Sequence, residues 1–179
     1  MSTESAGPRR PSRYDSRPAA TLCTVAPQHA NAARSEAARL IASHTPGDLD
    51  RIFFTNGGAD ANENAIKIAR AYTGRHKILA RYRSYHGGTH GAMALTGDPR
   101  RWSTEPGMSG VVHVLDPYHG MARGWDTAAD ALAMLEEVIE LEGPQTIAAF
   151  FLETVSGTNG VLIPPDGYLA GVRALCKNY

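Results

Sequence analysis

Short apolar runs and stretches with helical spacing alternate along the chain. The runs at 51–55, 77–82, 110–115 and 146–152 predict strands. Apolar residues at helical spacing predict helices at 33–41, from 58 to about 72, from 126 onwards and from 166 onwards. Strands that alternate with helices predict a mostly parallel sheet with helices on both faces. The fold class is therefore α/β, a three-layer α-β-α arrangement.

Turn and capping residues mark where the predicted helices begin and end. Pro46-Gly47 predicts the end of the first helix, and Gly74 fits the left-handed position that follows the second. Asp126 and Asp166 are predicted N-caps of the last two helices. The run 146–152 is apolar throughout, as expected of a strand that is covered on both faces.

In open parallel sheets, ligands bind beyond the carboxyl ends of the strands. The residues predicted at those ends are Asn56-Gly57-Gly58-Ala59, Tyr85-His86-Gly87, Asp116 and Glu153. Functional side chains are expected among them.

The turn before the second helix has the composition of a phosphate site. Gly57 and Gly58 let the backbone approach a ligand closely, and the helix start presents unpaired N–H groups with partial positive charge. The segment fits neither a Walker A loop nor a GxGxxG fingerprint, which favours a mononucleotide-type phosphate. The alternative is a plain structural turn.

The other edge residues also allow two interpretations each. Tyr85 could cover a flat heteroaromatic cofactor, or it could be a core tyrosine with a satisfied hydroxyl. Glu153 could face a ligand, or it could pair with an arginine. His86 and His90 have a chelating spacing only in a helix, which Gly87-Gly88 opposes, so no metal site is predicted.

Composition narrows the function classes. Eighteen basic residues balance eighteen acidic ones, which gives no indication of a nucleic-acid or anionic-membrane partner. The two cysteines, Cys23 and Cys176, form no metal or disulfide framework. The sequence has no apolar run long enough to span a bilayer. The expected location is cytoplasmic. Residues 1–20, basic and proline-rich, are predicted to be disordered, and residues 21–179 to form the folded domain.

Three segments together resemble one enzyme family. They are FFTNGGADANENAIKIAR at 53–70 followed by TGR at 73–75, RSYHGGTHGA at 83–92 with LTG at 95–97, and ETVSGTNGV at 153–161 with PPDGYL at 164–169. In this order and spacing they resemble the class III aminotransferases, which are fold type I enzymes with pyridoxal 5'-phosphate as cofactor. The resemblance covers about residues 21 to 179, which would be part of the family's large, cofactor-binding domain.

The resemblance implies roles for the matched positions. Gly58 and Ala59 look like the backbone donors to the cofactor phosphate, and Gly57 stands where many members carry serine. Tyr85 looks like the aromatic residue that stacks on the pyridine ring, with His86 and Gly87 close by. Glu153 looks like the carboxylate near the cofactor and the substrate amine.

The family also has elements without a match in this chain. Its Schiff-base lysine and the aspartate that pairs with the pyridine nitrogen lie further along, so none of Lys67, Lys77 and Lys177 matches the catalytic lysine. The expected parent activity is amino-group transfer from an amino donor to a 2-oxo acid, in a homodimer, with this chain inactive alone. The alternatives are a non-catalytic remnant, a subunit that depends on a partner, and a mutase or decarboxylase of the same fold type.

Overall fold

The computed structural model describes residue 26 and residues 28–121 and 128–179. The chain divides into two compact units, Met1–Phe53 and Phe54–Tyr179. The segment 1–20, predicted to be disordered, lies outside the described residues, so its predicted boundary stays a prediction. None of the described helices is long and apolar enough to cross a membrane.

The described part of the first unit contains helix α1 (Ala32–Ala42). The Asn31 side chain caps it, accepting a hydrogen bond of 3.0 Å from the Arg34 N–H. At the other end the Ser43 N–H donates to the Arg39 carbonyl at 3.1 Å. The predicted helix is confirmed, although it ends before Pro46-Gly47.

The described part of the second unit alternates helices with strands. Its elements are α2 (Gly58–Thr73), β1 (Lys77–Arg81), α3 (His90–Leu95), a 3₁₀ helix (Pro99–Thr104), β2 (Val111–Val114), α4 (Pro117–Met121), α5 (Ala128–Glu142), a second 3₁₀ helix (Pro144–Thr146), β3 (Ile147–Phe151) and α6 (Tyr168–Asn178). Gly74 ends α2 in the left-handed conformation, with φ of 68°, as predicted.

The described strands form a parallel sheet in the order β2-β1-β3. In the central strand β1, Ile78 pairs with Val111 of β2 and with Ala149 of β3. Because all three strands run in one direction, their carboxyl ends meet at one edge. This edge holds the residues that follow Arg81, Val114 and Phe151.

Apolar side chains fill both sides of the sheet. On one side Leu79, Leu135, Ile139 and Val172 belong to a cluster that joins the sheet to α5 and α6. On the other side Ile66, Ile78, Ala80 and Leu95 join it to α2 and α3. The alternation along β1, with Leu79 on one face and its neighbours on the other, produces the three-layer α-β-α arrangement that the sequence predicts.

Some predicted elements are wrong. Residues 51–55 form no strand, since no described strand supplies the hydrogen-bond ladder that a strand needs, and Phe53 is 69% exposed. Asp166 does not cap α6, because Gly167, with φ of 84°, turns the chain and the helix begins at Tyr168. Asp126, the predicted cap of α5, lies outside the described residues. β3 is an edge strand within the described sheet, and its five residues are only half-buried.

The sequence predicts that Ala65, Ile68, Ala69 and Tyr72 share the apolar face of α2, but the buried face differs. Ile66 is 2% exposed and packs on the sheet with Ala69, whereas Ile68 and Tyr72 are 59% and 90% exposed. The face of α2 that holds Ile66 packs on Ile78 and Ala80 of the sheet and on Leu95 of α3.

Glu63 ties the two helices together. Its Oε1 accepts hydrogen bonds from the Thr89 hydroxyl at 2.6 Å and from the Gly91 and Ala92 N–H groups at 2.7 and 3.2 Å. The four-residue spacing of Glu63 and Lys67 in the sequence predicts an ion pair between them on the helix surface, and that prediction is wrong. A carboxylate at the first turn of α3 satisfies N–H groups that have no partner within the helix.

The Glu63 contacts predict a pH-dependent stability. Burial acts to raise the pKa of the Glu63 carboxyl, but the hydrogen bonds from Thr89, Ala92 and Gly91 outweigh it and hold the pKa below its ordinary value. This contribution to stability is complete above the unfolded-state pKa of about 4.3 and is lost as the pH falls through the lower folded-state pKa. We expect Glu63→Gln to lower the free energy of unfolding by about 1–2 kcal/mol at pH 7, and by much less near pH 3.

Urea unfolding at a series of pH values measures this difference. Glu137→Gln is the control, because Glu137 is exposed on α5 and makes no hydrogen bond or ion pair within the described part of the chain. An equal loss of stability at pH 3 and pH 7 for Glu63→Gln would contradict the assignment.

Candidate cofactor site

The N-terminus of α2 presents free backbone donors. Gly57 and Gly58 are exposed, and a Cβ added to either glycine meets no atom within 4 Å. The Ala61 N–H already donates to the Gly57 carbonyl at 2.9 Å, and Asp60 accepts from the Asn56 N–H at 3.2 Å. Among the described residues, no side chain accepts from the N–H groups of Gly58 or Ala59. This 16-residue helix therefore begins with donors that have no side-chain partner among the described residues, next to open space beside Gly57 and Gly58.

The turn after β1 packs directly against this helix start. Gly87 is buried, and a Cβ added to it would lie 2.5 Å from the Ala59 Cβ. Asn62 of α2 donates from Nδ2 to the His86 carbonyl at 2.7 Å. The close contact requires glycine at position 87, where φ is also 133°. The structure thus brings Ala59 and the Tyr85-His86-Gly87 turn together.

Glu153, which follows β3, holds the same turn from the other side. Its Oε1 accepts from the Tyr85 N–H at 2.9 Å, and its Oε2 accepts from the Gly157 N–H at 2.9 Å. Within the described residues the Glu153 carboxylate makes no ion pair, so the alternative of simple pairing with an arginine does not hold. Glu153 and Tyr85 lie together at the carboxyl edge of the sheet, as predicted.

Tyr85 is at the surface. Its side chain is 36% exposed, which contradicts the alternative of a core tyrosine. The Arg100 guanidinium lies over the ring, 3.9 Å from its centroid. An aromatic ring that is held at the sheet edge and open to solvent has the properties needed to cover a flat ligand.

His86 is buried beneath the turn. Its backbone N–H donates to the Thr96 hydroxyl at 3.1 Å, and its ring lies perpendicular to that of Phe151, with centroids 6.5 Å apart. Burial lowers the pKa of His86, and the positive charge of Arg81 acts in the same direction, while Glu153 opposes them. The imidazole is therefore neutral at pH 7. Its Nε2 has no hydrogen-bond partner among the described residues.

Arg81, at the end of β1, was not identified from the sequence. It is 2% exposed and donates to the Glu153 carbonyl and, at 3.0 Å, to the Ser156 hydroxyl. It therefore fixes the backbone of the segment that carries Glu153. The sequence contains a signal for it, because the apolar residues 78–80 of the strand are followed at once by a charged residue.

Two further residues, Asn62 of α2 and Asp116 after β2, lie at this end of the sheet. Sequence analysis missed Asn62, which falls among polar residues of α2 with nothing to distinguish it. Asp116 is engaged in structure, since it pairs with the Arg83 guanidinium and accepts from the Tyr118 N–H at 3.0 Å. In the described part of the chain, no group of three or more His, Cys, Asp and Glu residues is arranged to hold a metal ion.

The arrangement fits a phosphorylated aromatic cofactor. Free N–H groups and open space at the start of α2 suit a phosphate, and the exposed Tyr85 ring suits a planar heterocycle. The contact between Gly87 and Ala59 places these two features on adjoining turns. Glu153 adds a carboxylate beside them.

Comparison with known proteins agrees with this interpretation of the site. Residues 16–179 match the family model described as Aminotransferase class-III. A probable aminotransferase of Mycobacterium tuberculosis is 40% identical over 158 residues, which are 80% of this chain and 33% of that protein. An acetylornithine aminotransferase of Corynebacterium efficiens is 42% identical over 130 residues, covering 72% of this chain and 29% of that protein.

Among solved structures, the taurine:2-oxoglutarate aminotransferase of Bifidobacterium kashiwanohense, in complex with PLP and glutamate, is 44% identical with a TM-score of 0.83. The match covers 90% of this chain and 38% of that one. The chain therefore spans about a third of the length of the curated relatives that it matches.

Proposed function

The chain belongs to the class III aminotransferases, and from that premise we propose that its second unit carries part of a pyridoxal 5'-phosphate site. The proposed activity of the whole protein is transfer of an amino group from an amino donor to a 2-oxo acid. The observation that carries the proposal is the contact of Gly87 with Ala59, which packs the turn that carries Tyr85 against the first turn of α2.

The phosphate end of the site is the first turn of α2. We assign the N–H groups of Gly58 and Ala59 as donors to the phosphate, and the partial positive charge of the helix start favours the same anion. The Asn56 N–H and the Asn64 side-chain amide both donate to the Asp60 carboxylate, which leaves these two donors free. Gly57 contributes only its backbone, since it has no hydroxyl to offer.

The heterocycle end of the site is the edge formed by Tyr85 and Glu153. Tyr85 would cover one face of the ring and exclude water from it, while Glu153 fixes the Tyr85 backbone and presents a carboxylate to a bound amine. His86, neutral because burial lowers its pKa, adds no charge beneath the turn. When bound, the cofactor supplies the electron-withdrawing heterocycle and the carbonyl carbon that takes up the amino group.

The assembly of the whole protein is also a proposal. The resemblance to the family implies a homodimer, and the exposed Ile68 and Tyr72 on α2 are consistent with a surface that another chain covers. Light scattering of the purified protein measures this directly.

Binding of pyridoxamine 5'-phosphate tests the site, because this fluorescent form of the cofactor needs no covalent bond. We expect saturable binding to the chain, and competition by inorganic phosphate, because the proposed donors recognise the phosphate group. Pyridoxamine, which lacks the phosphate, is the matched ligand control and should bind at least ten-fold more weakly. A chain that is folded by circular dichroism but binds neither compound at millimolar concentration would refute the proposed site.

A further inference from the structure

The guanidinium of Arg100 stacks on the ring of Tyr85, 3.9 Å from its centroid. This separation is that of a close cation–π contact. No second aromatic ring or guanidinium lies over Tyr85 within the described residues. Arg100 therefore covers one face of the ring, while Tyr85 as a whole stays 36% exposed.

Arg100 is itself held firmly. Its Nε donates to both carboxylate oxygens of Asp98, at 3.0 and 2.9 Å, and its terminal nitrogen bonds Asp98 and, at 3.0 Å, the Thr158 hydroxyl. Asp98 is 4% exposed and also accepts from Asn159 at 3.3 Å. The Asp98 carboxylate thus fixes the plane of the guanidinium, although the Arg100 side chain is 46% exposed.

From this arrangement we propose that Arg100 is the positioning residue that sets the orientation of the Tyr85 ring for the cofactor. The inference rests on the proposed function. The backbone of Tyr85 is fixed by Glu153, but a half-exposed side chain keeps rotational freedom about its own bonds. A guanidinium locked over one face removes that freedom before the ligand arrives, so the ligand stacks on the opposite face without an ordering cost.

The same contacts connect three segments of the site. Arg100 lies in the 3₁₀ helix Pro99–Thr104, Thr158 follows the Glu153 turn, and Tyr85 follows β1. The proposal predicts that a change at Arg100 acts on the cofactor through Tyr85 rather than through Thr158. That dependence separates positioning from a general structural effect.

A double-mutant cycle on the chain measures this dependence, with pyridoxamine 5'-phosphate as the probe. We expect Arg100→Met to weaken binding about three- to ten-fold, and Arg100→Lys to restore part of the loss because it keeps the charge. In the Tyr85→Leu background, Arg100→Met should change the affinity by less than two-fold, since the ring on which it acts is gone. Asp98→Asn, which loosens Arg100 without removing it, should give an intermediate loss.

Arg101→Met is the matched control. Arg101 pairs with Glu105 at 2.9 Å, and its guanidinium lies 5.5 Å from the ring centroid of Tyr82 rather than Tyr85. The Arg101→Met variant should bind pyridoxamine 5'-phosphate as tightly as the unaltered chain does. Equal losses from Arg100→Met with and without Tyr85, no loss at all, or tighter binding would each overturn the inference. Absence of binding by the unaltered chain would instead overturn the proposed function, and this role with it.

Discussion

Gly57→Asp is expected to stabilise the protein and to weaken its binding of pyridoxamine 5'-phosphate. Gly57 is the N-cap of α2, with φ of 179°, an extended conformation that any residue adopts, and an added Cβ meets no atom within 4 Å. Asp is a favoured N-cap and interacts well with the helix start, so the free energy of unfolding should rise by a few tenths to about 1 kcal/mol. The same carboxylate repels a phosphate and competes for its donors, and we expect at least a ten-fold weaker affinity, equivalent to about 1.4 kcal/mol.

Gly57→Ser is the matched variant for this prediction. Serine is also a favoured N-cap and adds a neutral hydroxyl, so it should stabilise the helix similarly and leave the affinity for the phosphate unchanged or stronger. Thermal unfolding and fluorescence titration of the two variants measure the two effects separately. If Asp and Ser have the same effect on affinity, the phosphate does not bind at this helix start.

Gly87→Ala is expected to cause the largest loss of stability among single methyl additions in the site. The new Cβ would lie 2.5 Å from the Ala59 Cβ and 2.8 Å from its Cα, and φ at this position is 133°. Both the overlap and the backbone conformation oppose a side chain, so we expect a loss of about 3 kcal/mol or more. Because the two turns must separate, the affinity for pyridoxamine 5'-phosphate should fall by more than ten-fold in whatever fraction stays folded.

Gly88→Ala is the control for this prediction. A Cβ at Gly88 meets only the Tyr85 hydroxyl, at 3.9 Å, which is ordinary contact. Its stability should lie within about 1 kcal/mol of the unaltered chain. Chemical denaturation at 25 °C compares the two variants, and similar losses for both would contradict the packing of Gly87 on Ala59.

The parts of the site that follow from the sheet could be predicted from the sequence. Apolar runs located β1, β2 and β3, and parallel strands require Tyr85 and Glu153 to follow strand ends at a common edge. Glycine composition located the start of α2. These inferences depend on the spacing of apolar residues, which is local in the sequence, and on the parallel sheet that alternating strands and helices imply.

The partners of individual side chains could not be predicted. Glu63 binds the start of α3 rather than Lys67, and Arg100 reaches Tyr85 across 15 positions of sequence, because the approach of other elements decides which groups meet. The prediction of a strand at residues 51–55 is wrong for a related reason. A strand requires a neighbour to complete its hydrogen bonds, and the described sheet offers none there.

The hydrogen bonds that bring the residues of the site together join positions that are far apart in the chain. Asn62 and His86 are 24 positions apart, and Tyr85 and Glu153 are 68 apart. No short peptide can therefore reproduce the arrangement, since it forms only after the non-local strand pairing that is slow in folding. A ligand that binds there is linked to the folding equilibrium of the unit as a whole. At a free concentration of 100 times its dissociation constant, it would add about 2.7 kcal/mol to the free energy of unfolding.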